Sequence, residues 1–201
     1  AVVAVDILGN PCDYDAISPI CEKYGLTLIE DAAQSFGASY KGRRTCSFGY
    51  IATTSFFPAK PLGCYGDGGA LFTDSGEVDA LCRSICVHGK GPGGKYDNVR
   101  VGLNSRLDAI QAAILLPKLK ALEAYELDAR QAAAKRYSDA FAGKFTTPFV
   151  AEGCVSVWAQ YALLAESRKQ RDQIAAYLRE KGIPSMVYYP KPQHMLPVFL
   201  D

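Results

Sequence analysis

The sequence predicts an α/β protein: a mainly parallel sheet forming much of one large domain, followed by part of a smaller α/β domain. Two observations predict it. A strand, helix, strand order fills residues 1 to 31, and such a connection normally joins parallel strands. The same order returns after Val155, beyond a long helical stretch.

Each element follows from its own pattern. Ala1 to Asp6 is a short continuous apolar run of the kind a buried strand shows. Asp13 to Tyr24 has helical periodicity and stops at Gly25, and Leu26 to Glu30 is a second apolar run closing on Asp31. In open parallel sheets functional residues gather at the carboxyl ends of strands, and Asp31 is at such an end. Tyr50 to Phe57 is rich in Thr, Phe and Ile and reads as a strand, the breaker-rich stretch Pro58 to Gly69 as a loop, and Ala70 to Thr73 as a short strand. Glu77 to Val87 is helical, Gly89 to Lys95 is a surface loop, and Arg106 to Phe141 is a long helical region that Pro117 should kink or divide. Beyond it the pattern predicts a strand over Trp158 to Ala165, a helix over Arg168 to Lys181 and a strand over Ile183 to Tyr189. The expected division is residues 1–120 for the large domain and 121–201 for a linking helix and part of the small one.

Composition excludes several classes of protein. Of 201 residues 49% are hydrophobic and 21% charged, the mixture of a folded globular chain. Lys and Arg total 22 against 21 acidic residues, so no global field draws the chain to nucleic acid or an anionic membrane. No apolar run approaches the ~20 residues of a membrane span. The seven cysteines lack a framework spacing and read as reduced thiols in a cytoplasm. The chain opens on an apolar run without an initiator Met, as a fragment would.

The chemistry concentrates between Ile29 and Gly69, in Glu30-Asp31-Ala32-Ala33-Gln34-Ser35, Thr54-Ser55-Phe56-Phe57-Pro58-Ala59-Lys60 and Gly63-Cys64-Tyr65-Gly66-Asp67-Gly68-Gly69. A lysine that forms a Schiff base must lose its proton, which requires nearby charge and desolvation. Alone, Lys60 reads as a solvated loop residue and Asp31 as a strand-end cap; Gln34 and Ser55 could be ordinary polar residues near turns.

Together these segments resemble the DegT/DnrJ/EryC/StrS family of sugar-nucleotide aminotransferases, which use pyridoxal 5'-phosphate (PLP) on fold type I, the aspartate aminotransferase-like fold. The resemblance implies that Lys60 is the catalytic anchor and general base. It implies that Asp31 pairs with the ring nitrogen, Gln34 with the ring hydroxyl and Ser55 with the phosphate, with Ala32 also in the cofactor site. The segment Asn98 to Ala113 is similar too, and there the family's Asn reaches the cofactor of a second subunit; Asn104 and Arg106 would then act across a homodimer interface, Asn104 on cofactor and Arg106 on substrate. Helix cap and surface charge remain the other readings of these two. Val187 to His194 resembles the segment that contacts the sugar nucleotide, which makes Tyr189 and His194 substrate contacts, although the family commonly has His where Tyr188 stands.

The resemblance implies transfer of an amino group, with glutamate as donor, to a nucleotide-linked keto-sugar. Asp31 to Gly69 with Tyr96-Asp97-Asn98-Val99-Arg100 most resembles members that aminate the 3-keto form of UDP-N-acetylglucosaminuronate for surface polysaccharide. Family members are longer at both ends. A non-catalytic role in binding or assembly is therefore a second reading. A third arises from Gly89-Lys90-Gly91-Pro92-Gly93-Gly94-Lys95, which has the spacing of a nucleotide-binding P-loop but continues with Tyr96 rather than Ser or Thr and follows a helix. Cys82 and Cys86, at i and i+4, share a helix face and could be metal ligands with His88, but no fourth ligand is evident and buried thiols are the simpler reading.

Overall fold

A computed structural model describes residues 1–200. The central sheet has four strands, all within residues 2–72. Strand β1 (Val2–Val5) pairs in parallel with β2 (Leu28–Asp31), joined by helix α1 (Tyr14–Lys23), and β2 pairs in parallel with β5 (Ile51–Ser55). β6 (Gly69–Phe72) closes the sheet antiparallel to β5, so the expected mainly parallel sheet is present. Between β2 and β5 lie the short strands β3 (Ser39–Tyr40) and β4 (Arg43–Arg44), which form a second, antiparallel sheet with β7 (Cys154–Val155).

Local chemistry sets these boundaries. The Asp13 side chain accepts the Ala16 N–H at 3.1 Å and starts α1, whose Asp15 and Lys23 lie at the ends the helix dipole favours. The apolar face of α1 packs Tyr14 and Cys21 onto Ala4, Leu28, Tyr40 and Phe48. In that cluster the Tyr14 and Phe48 rings stack with centroids 4.1 Å apart. Helix α2 (Gly76–Cys86) starts at Ser75, whose side chain accepts the Val78 N–H.

Helix α3 (Ala109–Ala121) continues through a π-helical turn at Leu122–Glu126 into α4 (Leu127–Phe141). Of the two effects expected of Pro117, a kink or a division, division does not occur: helix persists on both sides of it. Pro117 removes one rung, while Leu115 and Leu122 lie buried with Phe56, Leu62 and Cys64 and hold the helix in place.

The chain separates into two compact units, Ala1–Arg136 with Phe149–Tyr161, and Tyr137–Pro148 with the residues from Ala162 onward. In the second unit α5 (Arg168–Glu180) forms where expected, because the Ser167 side chain accepts the Gln170 N–H and Gln170 in turn accepts the Glu166 N–H. The strands expected over Trp158 to Ala165 and Ile183 to Tyr189 do not form. Trp158 N–H turns back to the Ser156 hydroxyl, and Leu164 makes only a single bridge with Thr146. Ile183 N–H closes the end of α5 on Leu178, after which Pro184 and Pro190 lack the donors a ladder requires. Among the described residues no helix is long and apolar enough to cross a membrane.

Candidate active site

The parallel ladder brings the ends of β2 and β5 to one edge of the sheet. Glu30 is in register with Ala52 and Asp31 with Thr53, so alternation sets Asp31, Thr53 and Ser55 on one face and Glu30, Ala52 and Thr54 on the other. The second face is closed: Glu30, Ala52 and Thr54 are all buried. The first is partly open, with Asp31, Thr53 and Ser55 all half-buried.

A hydrogen-bonded turn follows β2 and fixes Ala32 and Gln34. Ala32 is fully buried, its N–H donating to Thr53 and its carbonyl accepting the Thr54 hydroxyl. The Asp31 Oδ1 accepts the Ala33 N–H at 3.0 Å, so the strand-end capping role is real and leaves Oδ2 for another partner. The Gln34 Oε1 accepts the Leu8 N–H at 2.6 Å, tying the turn to the loop after β1.

A second turn, directly beyond β5, presents Lys60. Its backbone N–H donates to the Phe57 carbonyl at 2.8 Å, and the Ser55 hydroxyl accepts the Phe57 N–H at 3.3 Å. The glycines make this geometry possible at one point above all: a Cβ on Gly63 would lie 2.6 Å from the carbonyl oxygens of both Phe57 and Pro58. Lys60 is partly buried, and its ammonium has no hydrogen-bond or ion-pair partner among the described residues. Asp31 and Ser55 therefore end two adjacent parallel strands, and Ala32, Gln34 and Lys60 are carried by the turns that leave them.

The segment before α3 lies over the glycine loop, since Leu107 reaches the Gly68 position and the Gln111 side chain accepts the Tyr65 N–H at 2.8 Å. Asn104 bridges to Val87, and both Asn104 and Arg106 are exposed. Asn104 is not the cap of α3, a position that Asp108 occupies. Tyr189 and His194 belong to the second unit, where both are exposed, with Tyr189 edge-on to Tyr188 and His194 in a single 3-10 turn, Gln193–Met195. In the P-loop-like stretch the Gly91 and Gly93 N–H groups both donate to Asp97, so the backbone donors that such a loop turns toward phosphate are engaged.

Sequence reasoning missed a polar cluster beneath this edge. Asp6 and Glu30 are both fully buried and lie on the same face of the sheet, since Glu30 is in register with Ala4 and Asp6 follows Ala4 by two residues. Burial, followed by the nearby Asp6 carboxylate, pushes the Glu30 acid up to about 7 against the pull of two backbone N–H groups. Those donors are Cys46 at 2.6 Å and Phe48 at 2.7 Å. The signal was an acidic residue directly after β1, one position beyond the Val5–Asp31 pair; Asp6 N–H donates to the Asp31 carbonyl at 3.1 Å.

Known proteins bear the same architecture. The family described as the DegT/DnrJ/EryC1/StrS aminotransferase family, a PLP-dependent one, matches residues 1–201. The UDP-2-acetamido-2-deoxy-3-oxo-D-glucuronate aminotransferase of Pseudomonas aeruginosa is 46% identical over 202 residues, covering 100% of this chain and 55% of its own length. A crystal structure of a DegT DnrJ EryC1 StrS aminotransferase from Brucella abortus superposes with a TM-score of 0.93 at 47% identity, over 99% of this chain and 52% of that one. Streptomyces venezuelae DesV, solved in complex with a ketimine intermediate, gives 0.91 at 36% identity over 98% and 52%. The chain spans about half the length of the relatives it matches. With two turns at the carboxyl edge of a parallel sheet carrying the acid, amide, hydroxyl and amine of one pattern, and a family match along all 201 residues, the chain belongs to the DegT/DnrJ/EryC1/StrS aminotransferase family.

Proposed function

We propose that this chain binds PLP through Lys60 and transfers an amino group from glutamate to a nucleotide-linked keto-sugar. One observation carries the reading: a partly buried, unpaired lysine in the turn directly beyond the strand ends that hold Asp31 and Ser55. The residues fit the cofactor's functional groups. A carboxylate with one oxygen free suits a ring nitrogen, an alcohol at a strand end suits a phosphate, and Gly63 and its neighbours keep side chains out of the approach.

When bound, PLP supplies an aldehyde and a protonated ring that accepts an electron pair from the carbon undergoing transamination. Lys60 Nζ would hold the cofactor at its aldehyde carbon, and the same amine would serve as the general base of the transfer. Asp31 holds the proton on the ring nitrogen, because a carboxylate beside it favours the charged form. Gln34 orients the ring hydroxyl, while Ala32, fully buried, sets the floor of the turn beneath it. Ser55 holds the phosphate, joined by Asn104 from a second copy in a homodimer. Exposed apolar side chains on both sides of Asn104, Val101 at 94% and Ile110 at 74%, support such an interface. Arg106, Tyr189 and His194 contact the nucleotide-sugar.

The 46% identity to the Pseudomonas aeruginosa enzyme supports the 3-keto form of UDP-N-acetylglucosaminuronate as substrate, and hence a place in surface polysaccharide synthesis. The test is mass spectrometry of the product formed from isotopically labelled glutamate and that sugar, with a dTDP-linked keto-sugar in parallel. Label in the UDP amino-sugar with the parent, and none with Lys60→Ala, supports the reading. Label only in the dTDP sugar overturns the substrate, and none in either overturns the activity.

A further inference from the structure

Asp6 holds the turn after β2 at two places. Its backbone N–H donates to the Asp31 carbonyl at 3.1 Å, and its Oδ2 accepts the Ser35 hydroxyl at 2.9 Å. Between those two points lie Asp31, Ala32 and Gln34. The other oxygen, Oδ1, accepts the Cys12 N–H at 2.9 Å and the Tyr14 hydroxyl at 2.8 Å, anchoring the grip to the start of α1. Glu30, on the same face of the sheet as Asp6, pins the loop at Cys46 and Phe48.

Neither carboxylate has an ion-pair partner among the described residues, and both are at 0% exposure. Two acids buried as neighbours on one sheet face, surrounded only by neutral donors, cannot both ionise without strong repulsion in a medium of low polarity. One proton between them removes that repulsion. The titratable groups packed around the pair are Cys12 and Tyr14 from the α1 side and Cys46 from the loop before β5. Burial first, and then these acids, push the Cys12 and Cys46 thiols up to about 12 and the Tyr14 hydroxyl higher still. None of them supplies the missing positive charge, and β5 contributes only the Thr54 hydroxyl, whose proton goes to Ala32.

We propose that Asp6 and Glu30 share a single proton beneath the carboxyl edge of the sheet and act as positioning residues, holding the turn that carries Asp31, Ala32 and Gln34. Loss of that proton forces the two acids apart and loosens the turn. The consequence for cofactor retention rests on the PLP reading above; the shared proton itself does not.

The experiment measures amide hydrogen exchange by mass spectrometry on cofactor-free protein between about pH 6 and about pH 8, after correction for intrinsic base catalysis. Peptides covering residues 29–36 are compared with an α5 peptide as internal reference. In the parent, exchange at 29–36 rises about tenfold relative to α5 across that window, the equivalent of roughly one pKa unit of coupling. Asp6→Asn and Glu30→Gln each remove the rise, whereas Ser35→Ala speeds exchange at every pH and keeps it. A parent without the rise, or a rise that persists in both acid variants, overturns the proposal. This readout involves no cofactor, so failure of a PLP adduct to form at Lys60 leaves it intact. Where PLP does bind, the same two acid variants flatten the pH dependence of its dissociation constant, and unchanged profiles contradict the positioning role.

Discussion

Asp31 and Thr53 stand opposite each other in the parallel ladder of β2 and β5, and Ser55 follows on the same face of the sheet. The relationship places a carboxylate and an alcohol at one sheet edge although 24 positions separate them in sequence, Asp31 to Ser55. From it follows a separation of chemistry from stability.

Asp31→Asn should fold normally and fail chemically. Asn retains an oxygen for the Ala33 N–H, so the turn survives with stability changed by less than about 1 kcal/mol. The negative charge is lost, and transamination should fall by about 10²-fold or more. Thermal unfolding and turnover measured on one preparation check the two halves; a large fall in both marks Asp31 as a structural cap.

Gly63→Ala should act through crowding. The added Cβ meets the Phe57 and Pro58 carbonyl oxygens at 2.6 Å and must displace the turn that ends at Lys60. We expect destabilisation of about 1–3 kcal/mol by denaturant titration, with weaker PLP binding. An unchanged midpoint contradicts this packing.

Leu122→Ala tests the cluster that carries the helix past Pro117. Leu122 is 1% exposed and packed with Phe56, Leu62, Cys64 and Leu115. Its truncation should cost about 2–5 kcal/mol. A loss below that range indicates that the π-helical turn relaxes to fill the space.

The Glu30 acid predicts how stability varies with pH. Its ordinary value of 4.5 is raised to about 7 in the fold, so the fold favours the protonated form. Its contribution is therefore fully present below about 4.5 and is lost as pH rises through about 7. The melting temperature of the parent should decline between those limits, by the equivalent of about 1–3 kcal/mol, and Glu30→Gln should flatten the decline. A flat parent profile contradicts the protonated pair.

Much of the first unit was legible from residue patterns, because β1, α1, β2 and β5 each carry their own signal in periodicity and caps. The residues that the family resemblance names, Asp31, Gln34, Ser55 and Lys60, sit on two short contiguous stretches that the fold brings to the ends of adjacent parallel strands. What could not be read was anything set by partners distant in sequence. Trp158 to Ala165 has the composition of a strand, yet its backbone groups turn to local acceptors and a single bridge to Thr146. Asp6 looked like the end of an apolar run, and its hold on Asp31 and Ser35 exists only once β1 lies against β2. Pro117 is disruptive by itself, and only the buried leucines on either side show why the helix continues.

The most direct measurement of the central claim is borohydride trapping. The protein is mixed with PLP, reduced, digested and mapped by mass spectrometry. The account predicts one pyridoxyl group, on Lys60, in the parent and in Asp31→Asn, and none in Lys60→Ala. Modification spread over surface lysines, or undiminished by Lys60→Ala, would contradict it.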